Sequence, residues 1–410
     1  MKLCVMKFGG TSVADPEKIQ RAAERATAAR RRGYGVVVVV SAPGEMTDEL
    51  LALAERVCPG RCADGREIDQ LLSTGEQVSI ALFAMACQAK GYPAVSMTGA
   101  QAGIEAGGSH TRSHIVRIRT KRLLKELKAG RIVTVAGFQG VNEQGAVATL
   151  GRGGSDLTAV ALASALKTKQ CEIYSDVKGV YTADPRIVFE ARKLPKITFE
   201  EMLELAGSGS QVMQARSLEL AERFGVKIHV RSAFHPQKGT WIVPQEESML
   251  EKAFVSSLSL DKNEVRISVV DVPDRPGVAA EVISALAERD IPVDMIIQSA
   301  PTHAGVNDIS LMTPRAYVAK AREPLAKIAA KLKARVDVHD QVAKVSAVGT
   351  GFRHHPWVAA KMFETLARHK INIQMIVASD LRVSCVVDLK QGEVALRALH
   401  KAYGLGKKKK

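Results

Sequence analysis

The sequence predicts an α/β domain, with a mostly parallel sheet between helices, followed by two copies of a small α+β unit. Short apolar runs alternate with helical stretches as far as residue 243, and this alternation is typical of parallel sheets covered on both faces. A polar segment at 244–251 ends the pattern, and an internal repeat occupies the chain beyond it. The 410 residues are enough for two or three domains.

Strand and helix signals alternate through the first region. Asp15 is expected to be the N-cap of a first helix, with Pro16 at its first position and its end near Gly33. Further helices are expected at 68–90 and 155–166. The predicted strands are the short apolar runs 3–6, 36–40, 94–97, 132–136 and 171–175.

The second region repeats itself after 80 residues. The tripeptide Val-Ala-Ala at 278–280 returns at 358–360, and the run at 291–296 returns in similar form at 371–376. Each copy combines a helix with strands on both sides, which predicts a βαββαβ unit that is present twice. Helical spacing predicts that each core contains one face of its helix, namely Val278, Val282 and Leu286 in the first copy and Val358, Met362 and Leu366 in the second.

Composition narrows the class of partner. The formal net charge is +15, but aromatic residues make up only 4% of the chain, so few rings are available to stack on bases. We therefore expect no nucleic-acid partner, and we expect the positive charge to attract a nucleotide and an acidic small molecule. No apolar run approaches the roughly 18 residues of a membrane span. The absence of a signal-peptide pattern predicts a cytoplasmic protein without a membrane partner.

Lysine and glycine form the first motif, Lys7-Phe8-Gly9-Gly10, directly after the first predicted strand. Glycine adopts backbone angles that other residues avoid, and a helix is expected to begin shortly afterwards. Free N–H groups, the helix dipole and the ammonium would favour an anion such as phosphate here. A plain strand–turn–helix with a solvated lysine explains the same residues equally well.

A second glycine turn, at 151–156, opens the helix expected at 155–166 and has a cation of its own. Arg152 offers two parallel N–H donors to a carboxylate or phosphate. Asp156 is suited to orienting a lysine or a metal. Two glycine turns, each beside a cation at a strand-to-helix junction, favour an anion-binding cleft.

Polar groups also cluster at two other places. The loop at 174–186 follows a predicted strand, and loops in that position line ligand clefts in parallel sheets. A polar turn at Asp184-Pro185 is the alternative interpretation. Glu76 stands early in an otherwise apolar helix, where it is either a helix-start charge or a partner for a substrate ammonium.

Taken in order, these strings resemble those of the aspartate kinases, and the repeat resembles the paired ACT domains of the same enzymes. The resemblance covers nearly the whole chain. It implies an amino-acid kinase domain at 1–245, a first ACT domain at 262–340 and a second at 341–405. The matching strings lie at 7–12, 47–50, 74–76, 137–140, 151–156 and 181–186.

The resemblance implies transfer of the γ-phosphoryl group of ATP to the β-carboxylate of L-aspartate. The product, 4-phospho-L-aspartate, leads to lysine, threonine, methionine and diaminopimelate, and feedback by lysine, threonine or both is expected at the ACT domains. Mg²⁺ is expected to be held mainly by the nucleotide, with no metal bound by side chains alone. A carboxylate, with a pKa of roughly 4, is already ionised at pH 7, so catalysis consists of positioning and charge neutralisation.

Roles for single residues follow from the same resemblance. Catalysis is assigned to three residues: Lys7 neutralises the phosphoryl group, Asp156 organises that lysine, and Arg152 clamps the substrate's α-carboxylate. Aspartate binding is assigned to Thr47, Glu76, Arg152, Gly153, Gly154 and Ser155, with Glu76 on the α-ammonium. Nucleotide binding is assigned to Lys7, Gly9, Gly10, Ser41, Ser175, Asp176, Tyr181, Asp184 and Arg186. Effector binding is assigned to Asp274, Gly277, Asp294, Gln298, Asn372 and Ser379.

Two positions depart from the family pattern. Gln211 stands where relatives often carry a lysine that reaches the nucleotide, so one charged contact with ATP is in doubt. Trp357 replaces a glycine that usually follows a proline in the second copy, and its ring is expected to narrow an effector pocket.

Other functions stay open at this point. A kinase for another acid, such as N-acetylglutamate, would share the fold, although the ACT pair and the string at 7–12 argue against it. An amino-acid sensor with an inactive kinase half is a third hypothesis, although the charged residues of that half are intact. ACT units usually pair across chains, which predicts a homo-oligomer. Met249 is a candidate internal start, and a short subunit made from it would give a heterotetramer.

Overall fold

The computed structural model describes residues 1–60, 64–247, 254–298, 305–350, 352 and 355–406, and its contacts divide the chain into two compact units. The candidate start at Met249 lies outside the described residues. The first unit comprises Met1–Val180, Lys193–Ala206 and Gln211–Leu250. The second comprises Tyr181–Arg192, Gly207–Ser210 and Glu251–Lys410.

Strands and helices alternate along the first unit, as the sequence predicts. The strands are β1 (Leu3–Phe8), β2 (Gly35–Val40), β3 (Ala94–Met97), β4 (Ile104–Gly107), β5 (His114–Ile118), β6 (Ile132–Ala136), β7 (Gln139–Val141), β8 (Val147–Thr149), β9 (Gln170–Ser175), β10 (Lys196–Thr198), β11 (Lys227–Ser232) and β12 (Thr240–Val243). The helices are α1 (Pro16–Arg31), α2 (Met46–Val57), α3 (Gly65–Ala89), α4 (Lys121–Lys128), α5 (Gly154–Ala165), α6 (Phe199–Gly207) and α7 (Ala215–Arg223).

An eight-stranded sheet forms the centre of this unit, in the order β10-β12-β11-β9-β1-β2-β6-β3. Neighbouring strands are parallel except for β11 and β12. All five strands expected from the sequence lie in it, which confirms those predictions. The valines of β2 are completely buried, because a central parallel strand is covered on both faces. A smaller sheet has the order β5-β4-β7-β8.

The pleat of strand β1 places its hydrophobic side chains on one face of the sheet and Lys7 on the other. Met6 and Phe8 pack into the hydrophobic cluster that contains side chains of α1 and α3. Lys7 points to the opposite face, where it reaches α5. The first helix also begins as expected, because the Asp15 carboxylate accepts the N–H of Lys18 at 2.9 Å. No helix among the described residues is both long and apolar enough to span a membrane.

The second unit contains the two copies of the repeat. Its strands are β13 (Val255–Asp261), β14 (Glu264–Pro273), β15 (Asp294–Gln298), β16 (Val306–Pro314), β17 (Arg335–His339), β18 (Val342–Gly349), β19 (Met375–Ala378) and β20 (Arg382–Asp388). Its helices are α8 (Val278–Ala287), α9 (Val318–Leu332), α10 (Pro356–Arg368) and α11 (Gly392–Ala402). The helix faces expected in each core are buried, which confirms the spacing argument.

Each copy has a four-stranded antiparallel sheet, ordered β15-β16-β14-β17 in the first and β19-β20-β18-β13 in the second. The first copy is a complete βαββαβ unit. The second takes its edge strand, β13, from the chain that precedes the first copy. Sequence reasoning missed this strand, because it lies outside the repeated pattern.

A fully buried lysine joins the two copies. Lys344 on β18 places its Nζ 2.6 Å from Oδ2 of Asp294 on β15 and 3.9 Å from Oε1 of Glu264 on β14. Burial raises the pKa of Glu264 to about 7, against the opposing effect of the Lys344 charge. A buried charge is tolerated only when it is paired, so this cluster depends on the lysine.

We expect Lys344→Met to lower the free energy of unfolding by about 3 kcal/mol at pH 8, because Glu264 loses its counter-charge and Asp294 is left with Arg382, whose Nη2 lies 3.9 Å from its Oδ1. The deficit should shrink at pH 5.5. The folded-state pKa of Glu264 lies above its unfolded value, so its stabilising effect is complete in acid and is lost as the pH rises through about 7. Urea denaturation at both pH values measures this difference.

Lys327→Met is the matched control, because Lys327 pairs with Glu323 on the surface of α9 and both side chains are exposed. Equal, small effects of the two substitutions would contradict the role given to Lys344.

Candidate active site

Lys7 lies near the carboxyl end of β1, and its Nζ is 2.6 Å from Oδ1 of Asp156 in the first turn of α5. The two side chains are only 12% and 11% exposed. In such a dry environment an ion pair fixes the position of the ammonium. The remaining N–H donors of the lysine are suited to an anion at the edge of the sheet, where parallel α/β folds bind ligands.

The glycine turn after β1 differs from the expectation in one respect. A 3₁₀ turn at Gly10–Ser12 separates β1 from α1, and Asp15 already caps the helix. The Gly9 N–H donates to the Tyr174 carbonyl at 3.2 Å. The Asp15 carboxylate therefore occupies one of the N–H groups at the start of α1.

Close approach of two loops explains the glycine at position 10. A Cβ added to Gly10 would lie 2.7 Å from the Ala42 carbonyl oxygen, so no other residue lets the turns after β1 and β2 touch. An added Cβ on Gly9 would lie 3.5 Å from the Lys7 Nζ. The Ser12 hydroxyl is buried beside this turn and has no hydrogen-bond partner among the described residues.

The second glycine turn leads into α5. Gly151 and Gly153 have φ values of +74° and +73°, in the left-handed region that favours glycine, and Gly153 is the N-cap of α5. Ser155 is buried behind the turn. Arg152 is exposed, and in the described part of the chain its guanidinium makes no ion pair or hydrogen bond. The turn thus presents a guanidinium whose two parallel N–H donors have no partner in the described residues.

Glu76 lies in the middle of α3, so its role as a helix-start charge is excluded. It is 2% exposed, and its Oε1 accepts the Ala42 N–H at 3.0 Å, while Oε2 has no hydrogen-bond partner in the described residues. Burial raises the pKa of Glu76 to about 7, although the Ala42 hydrogen bond opposes this shift. A buried carboxylate oxygen without a donor is suited to an ammonium group.

Helix α3 also supports the second glycine turn, which the sequence analysis missed. Asp69 is fully buried seven residues before Glu76, on the same face of the helix. It accepts hydrogen bonds from the Thr149 hydroxyl, from the Thr111 N–H and from Nδ1 of His110 at 2.6 Å. Thr149 ends β8 just before the turn. Two carboxylates one heptad apart in an apolar helix are the signal that would have identified Asp69.

Other predicted residues surround the carboxyl ends of the neighbouring strands. Ser175 ends β9, the strand beside β1, and its hydroxyl donates to Oδ1 of Asp176 at 2.8 Å. Ser41 follows β2, and its N–H donates to the Phe8 carbonyl at 3.2 Å. Thr47 lies half-buried in the first turn of α2.

The remaining nucleotide candidates belong to the second unit. Arg186 donates two hydrogen bonds to the Asp184 carboxylate, from Nη2 to Oδ2 at 2.8 Å and from Nε to Oδ1 at 3.1 Å. Tyr181 is partly buried. Gln211, which departs from the family pattern, is exposed and belongs to the first unit.

The first-copy effector candidates lie around the start of α8 and along β15. Asp274 accepts a hydrogen bond from Nδ2 of Asn307 at 2.8 Å, while Oδ1 of Asn307 is buried without a partner in the described residues. Gly277 caps α8 with φ +97° and open space around it. Gln298 is exposed, and Asp294 is paired with Lys344.

The second-copy candidates are more solvent-exposed. Asn372 is exposed, and the Ser379 hydroxyl accepts the Arg382 N–H at 3.1 Å within the β19–β20 turn. Trp357 is 48% exposed and contacts Phe254 edge-on, with ring centroids 5.2 Å apart.

Comparison with known proteins agrees with this architecture. The amino acid kinase family matches residues 2–232, and the ACT domain matches residues 265–327 and 345–403. An aspartate kinase, Ask_LysC, of Stutzerimonas stutzeri is 46% identical over 406 residues, covering 99% of this chain and 98% of that protein. An aspartokinase of Thermus thermophilus is 43% identical over 408 residues, covering 99% of this chain and all of that protein.

Among solved structures, E. coli aspartokinase III in complex with aspartate and ADP (R-state) superposes with a TM-score of 0.83. The two sequences are 26% identical, and the match covers 98% of this chain and 99% of that one. The same enzyme in complex with lysine and aspartate (T-state) gives a TM-score of 0.77. The matches in sequence and in structure span the kinase half and both repeats, and the chain therefore belongs to the aspartate kinase family.

Proposed function

We propose that this chain transfers the γ-phosphoryl group of ATP to the β-carboxylate of L-aspartate, with Lys7 as the residue that neutralises the phosphoryl group. The observation that supports this role is the Lys7–Asp156 pair, which holds an ammonium at 2.6 Å from its carboxylate in a nearly dry site. Both reactants are anions, and a fixed cation between them lowers the electrostatic cost of bringing them together.

Two features of the first unit suit the α-carboxylate and the α-ammonium of aspartate. Arg152 binds the α-carboxylate through its two N–H donors, next to Gly153, Gly154 and Ser155 of the same turn. Oε2 of Glu76 accepts the α-ammonium, and Thr47 contributes a hydroxyl. The β-carboxylate is already ionised at neutral pH, so the protein abstracts no proton and acts by positioning and charge neutralisation.

The nucleotide is bound around Lys7, with contributions from the remaining candidates. These are Gly9, Gly10, Ser41, Ser175, Asp176, Tyr181, Asp184 and Arg186. Mg²⁺ is held mainly by the nucleotide's phosphate oxygens, as in other phosphotransferases, and neutralises part of their charge. Gln211 offers no charge to ATP, which leaves Lys7 with a larger share of the neutralisation.

The regulatory part of the proposal concerns lysine and threonine. Either or both act as effectors at the ACT domains, at 262–340 and 341–405. In the first copy, two features support a polar ligand: Gly277 caps α8 without a side-chain hydrogen bond, and Oδ1 of Asn307 is buried without a partner in the described residues. We further propose assembly through the ACT domains, either as a homo-oligomer or with a short subunit that starts at Met249. The cytoplasm is the proposed location.

A hydroxamate assay with ATP and Mg²⁺ tests the substrate. Product should form with L-aspartate and be absent with N-acetylglutamate. Product from N-acetylglutamate alone would select a different acid kinase, and no product from any acid would select a sensor. Titration of the same assay with lysine, with threonine and with both together identifies the effector.

Replacement of Lys7 by Met should reduce kcat by at least about a thousandfold, because one preorganised charge in a dry site contributes several kcal/mol. Binding of the effector in the other half should be unaffected, and calorimetry checks that. Lys18→Met is the matched control, since Lys18 pairs with Asp15 at the surface of α1. Equal activity of the two variants would disprove the role of Lys7.

For Arg152→Ala we expect a loss of about 2–4 kcal/mol in kcat/KM for aspartate, because a bidentate pair with the substrate is removed. The KM for ATP should change little. Arg131→Ala removes a surface arginine that pairs with Glu126 and should be silent. An unchanged kcat/KM for aspartate in the Arg152 variant would contradict the assignment.

The pH dependence of aspartate binding tests Glu76. The raised pKa, about 7, means that the free protein carries a neutral Glu76 in mild acid, whereas an ammonium requires the ionised form. The KM for aspartate should therefore increase about tenfold for each pH unit below 7 and level off above it. Glu76→Gln should raise the KM and remove this pH dependence, while a parallel pH dependence of the KM for ATP would argue against Glu76 as the cause.

A further inference from the structure

The loop that carries three nucleotide candidates belongs to the second unit, although the chain on both sides of it belongs to the first. Its residues, Tyr181–Arg192, connect β9 to β10. The described loop has no helix and no extended strand. Tyr181 and Ala191 are bridge residues, Ala191 pairs with Gly406, and the Thr182 N–H donates to the Arg192 carbonyl at 2.9 Å at the other end of the loop. Its conformation therefore depends on these internal hydrogen bonds and on its contacts with the second ACT copy.

Thr182 is the centre of these contacts. It is fully buried, and its hydroxyl lies 3.0 Å from Nε2 of His400 on α11 and 3.3 Å from the Leu405 carbonyl oxygen. The hydroxyl also accepts the N–H of Arg192 at 2.9 Å, and the Thr182 carbonyl accepts the N–H of Leu258 at 2.8 Å. The loop, β13 and α11 of one unit thus meet at one residue.

The donor and acceptor sites of the Thr182 hydroxyl determine the direction of each of its hydrogen bonds. A hydroxyl has one donor and two acceptor sites. The Leu405 carbonyl can only accept and the Arg192 N–H can only donate, so the remaining acceptor site takes an N–H from Nε2 of His400. His400 is 2% exposed, and this arrangement satisfies its Nε2 and all three hydrogen-bonding sites of the Thr182 hydroxyl.

Apolar packing reinforces the same contact. Ala183, Val188 and Ala191 of the loop are buried in the hydrophobic cluster that forms the core of the second copy, together with Leu258 and Leu396. The loop is therefore a part of that core rather than a surface connection.

We propose that His400 is a positioning residue for the nucleotide, because it holds Thr182, between Tyr181 and Asp184, in the core of the second ACT copy. This inference rests on the proposed nucleotide role of Tyr181, Asp184 and Arg186. The regulatory half then sets the affinity for ATP even without an effector. A loop released from the core must be ordered again when the nucleotide binds, and that entropy cost weakens binding.

Two variants remove the contact from either side, Thr182→Val and His400→Ala. Each should raise the KM for ATP and the Kd for ADP about five- to fiftyfold, since a buried hydrogen bond is lost and its partners are left unsatisfied. The KM for aspartate should stay within about twofold of the unmodified protein, and amide exchange should accelerate in 181–192.

The conservative variants Thr182→Ser and His400→Gln keep the hydroxyl and the N–H donor, and they should retain most of the ADP affinity. Thr365→Val is the matched control, because Thr365 is a buried threonine of the same copy whose hydroxyl donates within α10. If His400→Ala does not fold, His400→Gln and Thr182→Val carry the comparison.

The outcomes distinguish a failure of the role of His400 from a failure of the proposed kinase function. Weaker ADP binding in both variants, with the control unchanged, supports the inference even if L-aspartate is not the substrate. Unchanged ADP affinity, or an equal decline of both KM values and kcat, overturns it. Failure of the unmodified protein to bind ADP overturns both the inference and the proposed function.

Discussion

The geometry of this protein depends on holding a charged lysine at the end of a buried strand. The pleat of β1 makes this possible, because Met6 and Phe8 anchor the strand in the core while Lys7 points to the other face. Helix α5 must then approach closely enough for Asp156 to reach the ammonium. Nearly every residue of α5 is buried and most are small, so the helix can lie against the sheet at that distance.

Buried charges are treated in two different ways in the two units. Lys344 is enclosed completely and has carboxylates on its ammonium, so its charge is satisfied within the fold. Glu76 is buried to a similar degree, but one of its oxygens has no donor in the described residues. A buried carboxylate oxygen without a donor costs stability unless a ligand or water satisfies it, which supports the ammonium-binding role proposed for Glu76.

Local patterns were sufficient to predict most of the fold. The valine run of β2, the Asp15-Pro16 helix start and the repeated helix faces depend on neighbouring residues only, and all three are present as predicted. Features that arise from distant contacts could not be found in this way. Asp69 acquires its role from Thr149 and His110, and Thr182 acquires its role from His400, more than 200 residues later. Local patterns indicated Lys7, Arg152, Asp156 and Glu76 as candidates, the resemblance supplied the other site residues and the specific roles, and these roles stay predictions.

The edge strand of the second copy has a consequence for any short form of this protein. Strand β13 begins at Val255 and pairs with β18, so it is needed to close a sheet whose other strands all lie after residue 341. A fragment cut at 262 would expose the backbone N–H and C=O groups of β18 as an open edge, which invites pairing with other chains. A product that starts at Met249 would keep β13 and avoid this open edge. Translation from that methionine, if it occurs, would preserve a strand that a division drawn from the repeat alone would remove.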